Sequence, residues 1–390
     1  MTTAREFDVV VQGSTGYTGR LVAEHLLTTY GVGGEVKWAM AGRDAGKLAA
    51  VRAEIGAPDT LPLIVADAHD PAALEAMAAR TKVVITTAGP YQLYGSELVA
   101  ACAKVGTDYV DLTGESHWIA AMIAAHEAAA KASGARIVFS CGFDSIPFDM
   151  GVWFVEEQAK KRWGHAAARV RGRVRSIQGG LSGGTLASAI TTMAAVQRDH
   201  SIGGVLANPF ALTPGFSGPT QPDGDSVHED TVTGSWVGPF MMAGINTKAV
   251  HRTNLLLGHP WGADFRYDEM LMLSGPPAPG AAPAGGFDFG SGPQPKPGEG
   301  PTKDEREAGF YDILFIAEDK DGATVRAAVK GVGDPGYGST SKMLAEAGLA
   351  LAFDVSSEAT PGGCWTSAAA MATALLERLP KNAGITFEVE

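Results

Sequence analysis

The sequence has no excess of positive charge and no long apolar run. Its 31 lysines and arginines are outnumbered by 43 aspartates and glutamates, for a net charge of −12 at pH 7. Such a chain has no long-range attraction to nucleic acid or to an anionic membrane. No stretch approaches the ~18 unbroken apolar residues of a membrane span, and residues 1–6 lack the apolar core of a signal peptide. We therefore expect no nucleic-acid partner, no membrane span and a cytoplasmic location.

Cysteine and metal-ligand motifs are scarce as well. The three cysteines, Cys102, Cys141 and Cys364, are odd in number and widely spaced. With no CxxC pair among them, they favour free thiols in a reducing compartment. No HxxxH pair and no Cys/His cluster has the spacing of metal ligands, so we expect no metal site.

Short apolar runs alternate with helical patterns through the first part of the chain. This alternation is typical of βαβ units and predicts an α/β fold, a Rossmann doubly wound parallel sheet of six strands. The predicted strands cover 7–12, 37–41, 61–66, 82–88, 109–112 and 135–141. The predicted helices cover 17–30, 44–55, 95–105, 116–133 and a segment opened by Asp70 and Pro71.

The pattern changes near residue 142, where helices and strands of antiparallel character predict a second α+β domain. Its predicted elements are helices at 151–161 and 185–197, a strand at 169–177 and a hairpin of 310–317 with 324–330. The chain ends in predicted helices at 340–350 and 365–379 and a strand at 385–389.

Two segments of the middle region have no regular pattern. Residues 208–235 are polar and turn-rich, and residues 274–303 are dominated by proline and glycine. The second segment predicts a long surface loop, with a lid or an oligomer arm as the alternative.

A glycine-rich turn, GSTGYTG, joins the first predicted strand to the first predicted helix. Glycine allows positive φ in a tight turn and lets the backbone approach a pyrophosphate, whose charge is met by free N–H groups at the helix start. The motif stands between a strand and a helix, which is the context that a dinucleotide site requires. We therefore assign seven residues to the cofactor: Gly13, Ser14, Thr15, Gly16, Tyr17, Thr18 and Gly19.

The end of the second predicted strand distinguishes NAD from NADP. An NAD site carries an acid there, ~20 residues after the glycines, to bind the ribose diol, but this strand ends Ala41-Gly42-Arg43. Arg43 matches a phosphate bidentately, and Lys47 lies one turn further on. The alternative is that Arg43 is a surface charge and Asp44 is the acid that matters, although Asp44 is suited to cap the next helix. We predict NADP(H).

Two further cofactor contacts follow from the rule that ligands lie at the carboxyl ends of parallel strands. Asp67 follows the third predicted strand, where the adenine edge lies. Ala88, Gly89 and Pro90 end the fourth, where the backbone passes the nicotinamide ribose.

The loops after the fourth, fifth and sixth predicted strands should face one crevice. They offer Tyr91, Glu115, Asp144 and Ser145 as the polar groups nearest the hydride. Tyr91 is a candidate general acid because a phenol near the nicotinamide can donate a proton, and Glu115 and Asp144 are the other catalytic candidates. Alternatively, these residues bind the cofactor or hold the domain hinge.

Four arginines alternate along the predicted strand at 169–177, namely Arg169, Arg171, Arg173 and Arg175. A strand places all four on one face. One interpretation is a solvated sheet face. The other is an anion site for a phosphopantetheine, coenzyme A or an acidic carrier protein.

Seven short segments, spread over nearly the whole chain, belong together. They are GSTGYTG (13–19), AGR (41–43), TAGPY (87–91), YVDLTGE (109–115), GFDSIPFD (142–149), GDPGYG (333–338) and GGCWT (362–366). As a set they resemble the saccharopine dehydrogenase-like oxidoreductases, and more closely their trans-acting enoyl reductase branch.

The resemblance implies three parts. They are an NADP-binding Rossmann domain at 1–145, an α+β domain for substrate binding or dimerisation at 146–335, and C-terminal helices at 336–390 that return to the first domain. It also implies NADPH-dependent reduction of an enoyl double bond. The expected partner is a small-molecule or acyl-carrier-linked substrate, and a homodimer is the candidate assembly.

Two other functions remain open. One is an amino or keto acid dehydrogenase of the saccharopine dehydrogenase type, although Arg252 and Arg266 do not obviously supply the convergent arginines that a polycarboxylate substrate needs. The other is a non-catalytic NADP-binding regulator.

Overall fold

The N-terminal domain of the computed structural model is a parallel sheet with helices on both faces, and the model describes residues 5–180, 183–276, 296 and 298–390. Its first six strands lie in the order β3-β2-β1-β4-β5-β6. The strands are β1 (Phe7–Gln12), β2 (Trp38–Gly42), β3 (Leu63–Val65), β4 (Thr81–Thr86), β5 (Asp108–Val110) and β6 (Arg136–Val138). The helices are α1 (Tyr17–Tyr30), α2 (Ala45–Glu54), α3 (Pro71–Ala78), α4 (Tyr91–Tyr94), α5 (Ser96–Val105) and α6 (Ser116–Ser133). The predicted Rossmann fold is confirmed.

Local sequence signals explain where these elements begin and end. All six residues of β1 are buried, as expected of a central parallel strand. The carboxylates of Asp44 and Asp70 accept the backbone N–H groups of Lys47 and Ala73 and so cap α2 and α3. Each cap satisfies one N–H that the helix start leaves unpaired.

The second domain is built on a mixed sheet. Its strands lie in the order β14-β12-β11-β7-β10-β9-β8, with β7 parallel to β10 and antiparallel to β11. The strands are β7 (Arg169–Gln178), β8 (His228–Asp230), β9 (Ser235–Pro239), β10 (Arg266–Leu273), β11 (Phe310–Glu318), β12 (Thr324–Val332) and β14 (Ile385–Val389). Its helices are α7 (Ile146–Trp163), α8 (Gly183–Arg198), α9 (Ser201–Ala207), α10 (Ala243–Leu256) and α11 (Lys303–Ala308). The predicted second α+β domain is confirmed.

The C-terminal part of the chain contributes to both sheets. Helix α12 (Thr340–Phe353) packs so closely on the first sheet that a Cβ on Gly348 would lie 2.6 Å from Ile85. Strand β13 (Gly363–Trp365) pairs with β6 as a seventh parallel strand, which corrects the predicted count of six. After α13 (Ser367–Arg378), the chain crosses to β14 in the second sheet. The boundaries 1–145, 146–335 and 336–390 stay a proposal.

The four alternating arginines of β7 form an ion-pair ladder. Their partners are five acids: Asp268 on β10 and Asp312 and Glu318 on β11, the two neighbouring strands, Asp230 on β8, and Glu390 after β14. Arg173 is fully buried and lies 2.5 Å from Asp230 and 2.8 Å from Asp268. The ladder is therefore neither a solvated face nor a free cationic surface, since each guanidinium already has a carboxylate.

Three expectations from the composition concern the cysteines, membrane-spanning helices and the proline- and glycine-rich segment. The cysteines Cys102, Cys141 and Cys364 are buried and unpaired. Among the helices described, none combines the length and apolar character needed to cross a bilayer. The proline- and glycine-rich segment 274–303 falls mostly outside the described residues, so its predicted role as loop, lid or arm is left open.

A buried carboxylate, Glu346 of α12, joins three parts of the structure. It accepts hydrogen bonds from His25 at 2.9 Å and Tyr30 at 2.8 Å on α1, and from Arg378 and Asn382 at 3.0 Å near the C-terminus. Its side chain is 0% exposed. A buried charge is tolerated only when it is paired and hydrogen-bonded in this way.

We expect Glu346→Ala to lower the free energy of unfolding by about 3–5 kcal/mol, because His25, Tyr30 and Asn382 lose their acceptor and Arg378 keeps only Asp354 as a carboxylate partner. Urea unfolding followed by circular dichroism measures this. The exposed Glu35 supplies the control, and Glu35→Ala should stay within about 0.5 kcal/mol of the parent. A Glu346→Ala variant as stable as that control would contradict the role given to the network.

Candidate active site

The glycine-rich turn lies at the carboxyl end of β1, in the centre of the first sheet. Gly13 has φ +89°, and a Cβ on Gly19 would lie 2.2 Å from the Gly13 carbonyl oxygen. The backbone N–H groups of Gly13 and Ser14 donate to the Ala41 carbonyl at 3.0 and 3.1 Å, and Gly16 donates to Gly13 at 2.9 Å. Glycine is thus required at both ends of a turn that opens into α1.

The hydroxyl groups of this turn fall into two sets. The buried Ser14 hydroxyl donates to the Val11 carbonyl at 2.7 Å and holds the strand end. Thr15 and Thr18 are half-buried, and among the described residues no partner is found for their hydroxyls. These two hydroxyls have no competing partner in the described structure, and their predicted contact with phosphate oxygens stays a prediction.

The side chain of Tyr17 faces the second domain. Its hydroxyl donates to the Pro301 carbonyl and accepts from Arg306 at 2.9 Å, and its ring packs edge-on against Tyr337 at 5.2 Å. The predicted cofactor contact of Tyr17 therefore rests on its backbone N–H at the start of α1. Its side chain joins the phosphate turn to the segment 298–306.

The end of β2 presents two exposed cationic side chains that have no direct partner among the described residues. Arg43 and Lys47 are exposed, and their side chains make no hydrogen bond or ion pair within the described part of the chain. The Asp44 carboxylate is engaged by the Lys47 backbone N–H at 2.9 Å, and this hydrogen bond is the largest of the effects that lower its pKa. The predicted helix cap is confirmed, and the arrangement fits a 2′-phosphate better than a free ribose diol.

The remaining predicted cofactor residues also lie at this edge of the sheet. Asp67 follows β3, and one of its carboxylate oxygens accepts the His69 N–H at 2.9 Å. Ala88 and Gly89 follow β4 with Gly89 exposed, and Pro90 precedes α4. Their contacts with adenine and with the nicotinamide ribose stay predictions.

Tyr91 lies inside the first domain rather than in the crevice. Its side chain is 3% exposed, and its hydroxyl donates to the Thr86 carbonyl at 3.0 Å and accepts from the Leu112 N–H at 3.4 Å. Burial raises its pKa well above the ordinary value. The geometry gives Tyr91 a packing role against Trp118, 5.6 Å away, and does not support its predicted role as general acid.

Glu115 is a buried connector. Its two carboxylate oxygens accept the N–H groups of Tyr91 at 2.9 Å and Gln92 at 2.8 Å, the first turn of α4. The same carboxylate accepts the Ser188 hydroxyl of α8 at 2.9 Å. With its acceptors occupied in this way, Glu115 fits the hinge alternative rather than proton transfer.

Asp144 differs from the other two candidates because its carboxylate is unengaged. The residue is half-buried, its Oδ1 is shielded from solvent, and within the described residues this oxygen has no hydrogen-bond partner. Burial raises the pKa of Asp144 to about 7. The adjacent Ser145 hydroxyl is buried and equally unpartnered among the described residues. Asp144 is thus the predicted catalytic residue whose surroundings suit proton transfer near neutral pH.

Sequence reasoning missed the second domain's side of the crevice. Gln92 donates to Thr192 of α8 at 3.1 Å, and the Asn246 amide of α10 donates to Glu269 of β10 at 2.9 Å. Neither α10 nor β10 was predicted. In the segment RYDEMLML, two acids, Asp268 and Glu269, stand next to an apolar run, and this was the signal that the sequence offered.

Comparison with known proteins agrees with this geometry. Residues 9–138 match the family model of the saccharopine dehydrogenase NADP binding domain. A provisionally named trans-acting enoyl reductase of Mycobacterium tuberculosis is 40% identical over 415 residues, covering 99% of this chain and 98% of the relative. The trans-acting enoyl reductase of Mycobacterium ulcerans is 38% identical over 409 residues, covering 97% and 96%. This chain belongs to the trans-acting enoyl reductase family.

A solved structure shows the same fold. Apo saccharopine dehydrogenase (L-Glu forming) of Saccharomyces cerevisiae aligns with a TM-score of 0.56 over 98% of this chain and 99% of that one. At 13% identity the likeness concerns the fold alone.

The family and the site together identify an NADP-dependent oxidoreductase. The NADP-binding domain model spans the sheet that carries the glycine turn. Gly13 and Gly19 allow the tight turn that opens into α1, where a Cβ on either would clash with neighbouring backbone or with Thr87, and the Arg43 side chain has no partner among the described residues. NADP(H) is the cofactor of this trans-acting enoyl reductase family member, as predicted. Among the described residues, no three His, Cys, Asp or Glu side chains group as metal ligands.

We expect Arg43→Ala to raise the KM for NADPH about 10- to 100-fold and to change the KM for NADH little, because the lost guanidinium contacts only the 2′-phosphate. Steady-state kinetics with each cofactor measures the split. Arg162→Ala, which removes an exposed arginine of α7, is the matched control. Equal effects on NADPH and NADH would show that Arg43 does not select the cofactor.

Proposed function

We propose that this protein reduces the carbon–carbon double bond of an enoyl thioester with NADPH, on a substrate that carries an apolar acyl chain. The proposal is carried by an unengaged acid, Asp144, in the loop after β6, together with exposed apolar side chains on α4 and α8, two helices that meet at the loop after β4. The names of the 38–40% identical relatives point to the same reaction class.

The acyl-chain surface lies beside the predicted nicotinamide loop. Three large apolar side chains are exposed there: Leu93 at 49%, Ile190 at 57% and Met193 at 66%. Ile190 and Met193 lie three residues apart on α8 and so share a helix face. The hydrogen bond from Gln92 to Thr192 at 3.1 Å holds α4, which carries Leu93, against α8. Exposed apolar side chains grouped at a crevice are typical of a ligand groove.

The reaction assigns distinct tasks to the residues at the crevice. When bound, NADPH supplies a hydride. Reduction of an enoyl thioester also requires a proton at the α-carbon and stabilisation of negative charge at the thioester oxygen. Asp144 holds a proton for the first task, and the unpartnered Ser145 hydroxyl is a donor for the second.

A saccharopine-type reaction has less support. Arg252 is buried, and its guanidinium donates to the carbonyl groups of Leu212 at 2.7 Å and Cys364 at 2.5 Å. It therefore serves the packing of α10 and is not displayed to a polycarboxylate substrate.

We expect NADPH oxidation with trans-2-enoyl thioesters, with kcat/KM rising with acyl length. Ile190→Ser/Met193→Ser should lower kcat/KM about tenfold for a long chain and little for a short one, because buried CH₂ groups contribute about 0.8 kcal/mol each. Val332→Ser, at an equally exposed residue outside this surface, is the control. NADPH binding without turnover on any enoyl thioester would favour a regulator instead.

We expect Asp144→Asn to lower kcat about 100- to 10,000-fold while leaving the Kd for NADPH unchanged. With a pKa of about 7, the protonated acid predominates below that pH and is lost as the pH rises through it, so wild-type kcat should fall above about pH 7. The exposed Asp225→Asn serves as the control. An Asp144→Asn enzyme with wild-type kcat and the same alkaline limb would remove Asp144 from the mechanism.

A further inference from the structure

Helix α8 of the second domain lies against loops that follow the strands of the first sheet, and it buries little of its own surface. Gly183 and Ala195 are its buried residues, and its other residues are half-buried or exposed. The next helix, α9, has no buried residue in the described structure. A helix with so little buried apolar surface can separate from its neighbours at a small cost in free energy, without unfolding of either sheet.

Three hydroxyl groups form a stripe along one face of α8. Thr185, Ser188 and Thr192 are spaced by three and four residues, which places their side chains on the same side of a helix. The first hydroxyl, that of Thr185, lies 2.6 Å from the Tyr337 hydroxyl. The Tyr337 ring packs edge-on against Tyr17 of the glycine-rich turn, with ring centroids 5.2 Å apart. The start of α8 is therefore held next to that turn.

One carboxylate oxygen is shared by the two domains. Glu115 Oε1 accepts both the Ser188 hydroxyl of α8 and the backbone N–H of Tyr91, each at 2.9 Å. Tyr91 is the first residue of α4 and directly follows residues 88–90, the predicted contacts of the nicotinamide ribose. A change in the position of α8 therefore acts, through this one oxygen, on the loop 88–90.

The two hydrogen bonds beside this loop differ in strength. Ser188 donates to the carboxylate of Glu115, and such charge-assisted bonds are about twice as strong as neutral ones. Thr192 accepts from the neutral amide of Gln92 at 3.1 Å. The net contribution of a neutral bond is small, because water can replace either partner. Removal of the Ser188 hydroxyl should therefore loosen α8 more than removal of the Thr192 hydroxyl.

We propose that α8 is the element that closes over bound NADPH, and that Ser188 is a positioning residue that acts through Glu115 on the loop 88–90. When α8 separates, Glu115 keeps its two N–H donors on α4, and the crevice opens for exchange of the cofactor. When α8 docks, its hydroxyl stripe attaches it beside the glycine-rich turn and beside the loop 88–90 at once. The inference rests on NADP(H) as the cofactor and not on the identity of the substrate.

The test compares three single variants of α8 in the full-length protein. Ser188→Ala should release NADPH about tenfold faster than the parent protein, and Thr192→Val about threefold faster. Thr191→Val is the matched control, because the Thr191 hydroxyl donates within the helix to the Ala187 carbonyl at 2.7 Å, and its release rate should equal that of the parent. Nicotinamide fluorescence after mixing the complex with excess NADP⁺ measures the release.

Hydrogen exchange separates this role from a general contribution to the fold. With NADPH bound, Ser188→Ala should speed the exchange of α8 amides about tenfold and leave the amides of β1 and α12 at the parent rate. Faster exchange throughout both domains would overturn the proposal. A folded Ser188→Ala protein that releases NADPH as slowly as Thr191→Val would overturn it as well. Both measurements use NADPH alone, so a lack of turnover on every enoyl thioester would count against the proposed function and not against this role of α8.

Discussion

The buried carboxylate of Glu115 is the interaction on which the crevice depends. It is bound by two backbone N–H groups of α4 and by the Ser188 hydroxyl of α8. One side chain thereby links the loop after β4 to the second domain. A carboxylate at a helix start is favoured by the unpaired N–H groups there. These contacts hold α8 against the loop after β4, where the predicted nicotinamide contacts lie.

The parts of the fold that follow from local chemistry could be predicted from the sequence. Strand β1 and helix α1 have the predicted bounds because an apolar run, a glycine turn and an amphipathic pattern follow one another directly. The caps at Asp44 and Asp70 are equally local. The cofactor assignment shares this basis, since Arg43 stands one residue after a strand whose end is set by the sheet.

Elements that depend on distant partners could not be predicted. Strand β13 has three residues and exists because the chain returns to pair with β6. Strand β10 carries Asp268 and Glu269, which interrupt the apolar pattern expected of a buried strand. Asp268 pairs with Arg169 and Arg173 of β7, a long-range contact that the local sequence does not show. The orientation of Tyr91 is set by Trp118 and Leu112. Tyr91, a candidate general acid on a predicted loop, is therefore a packing residue, and the buried Glu269 of β10 was not predicted as a site residue.

The path of residues 363–390 makes the two domains topologically interleaved. The chain completes the first sheet with β13 and then the second with β14. Neither sheet can therefore be cut out as one continuous piece of polypeptide, because β13 and β14 are both made after the other strands of their sheets. The nucleotide-binding domain therefore cannot be exchanged for another by fusing two chains at a single position.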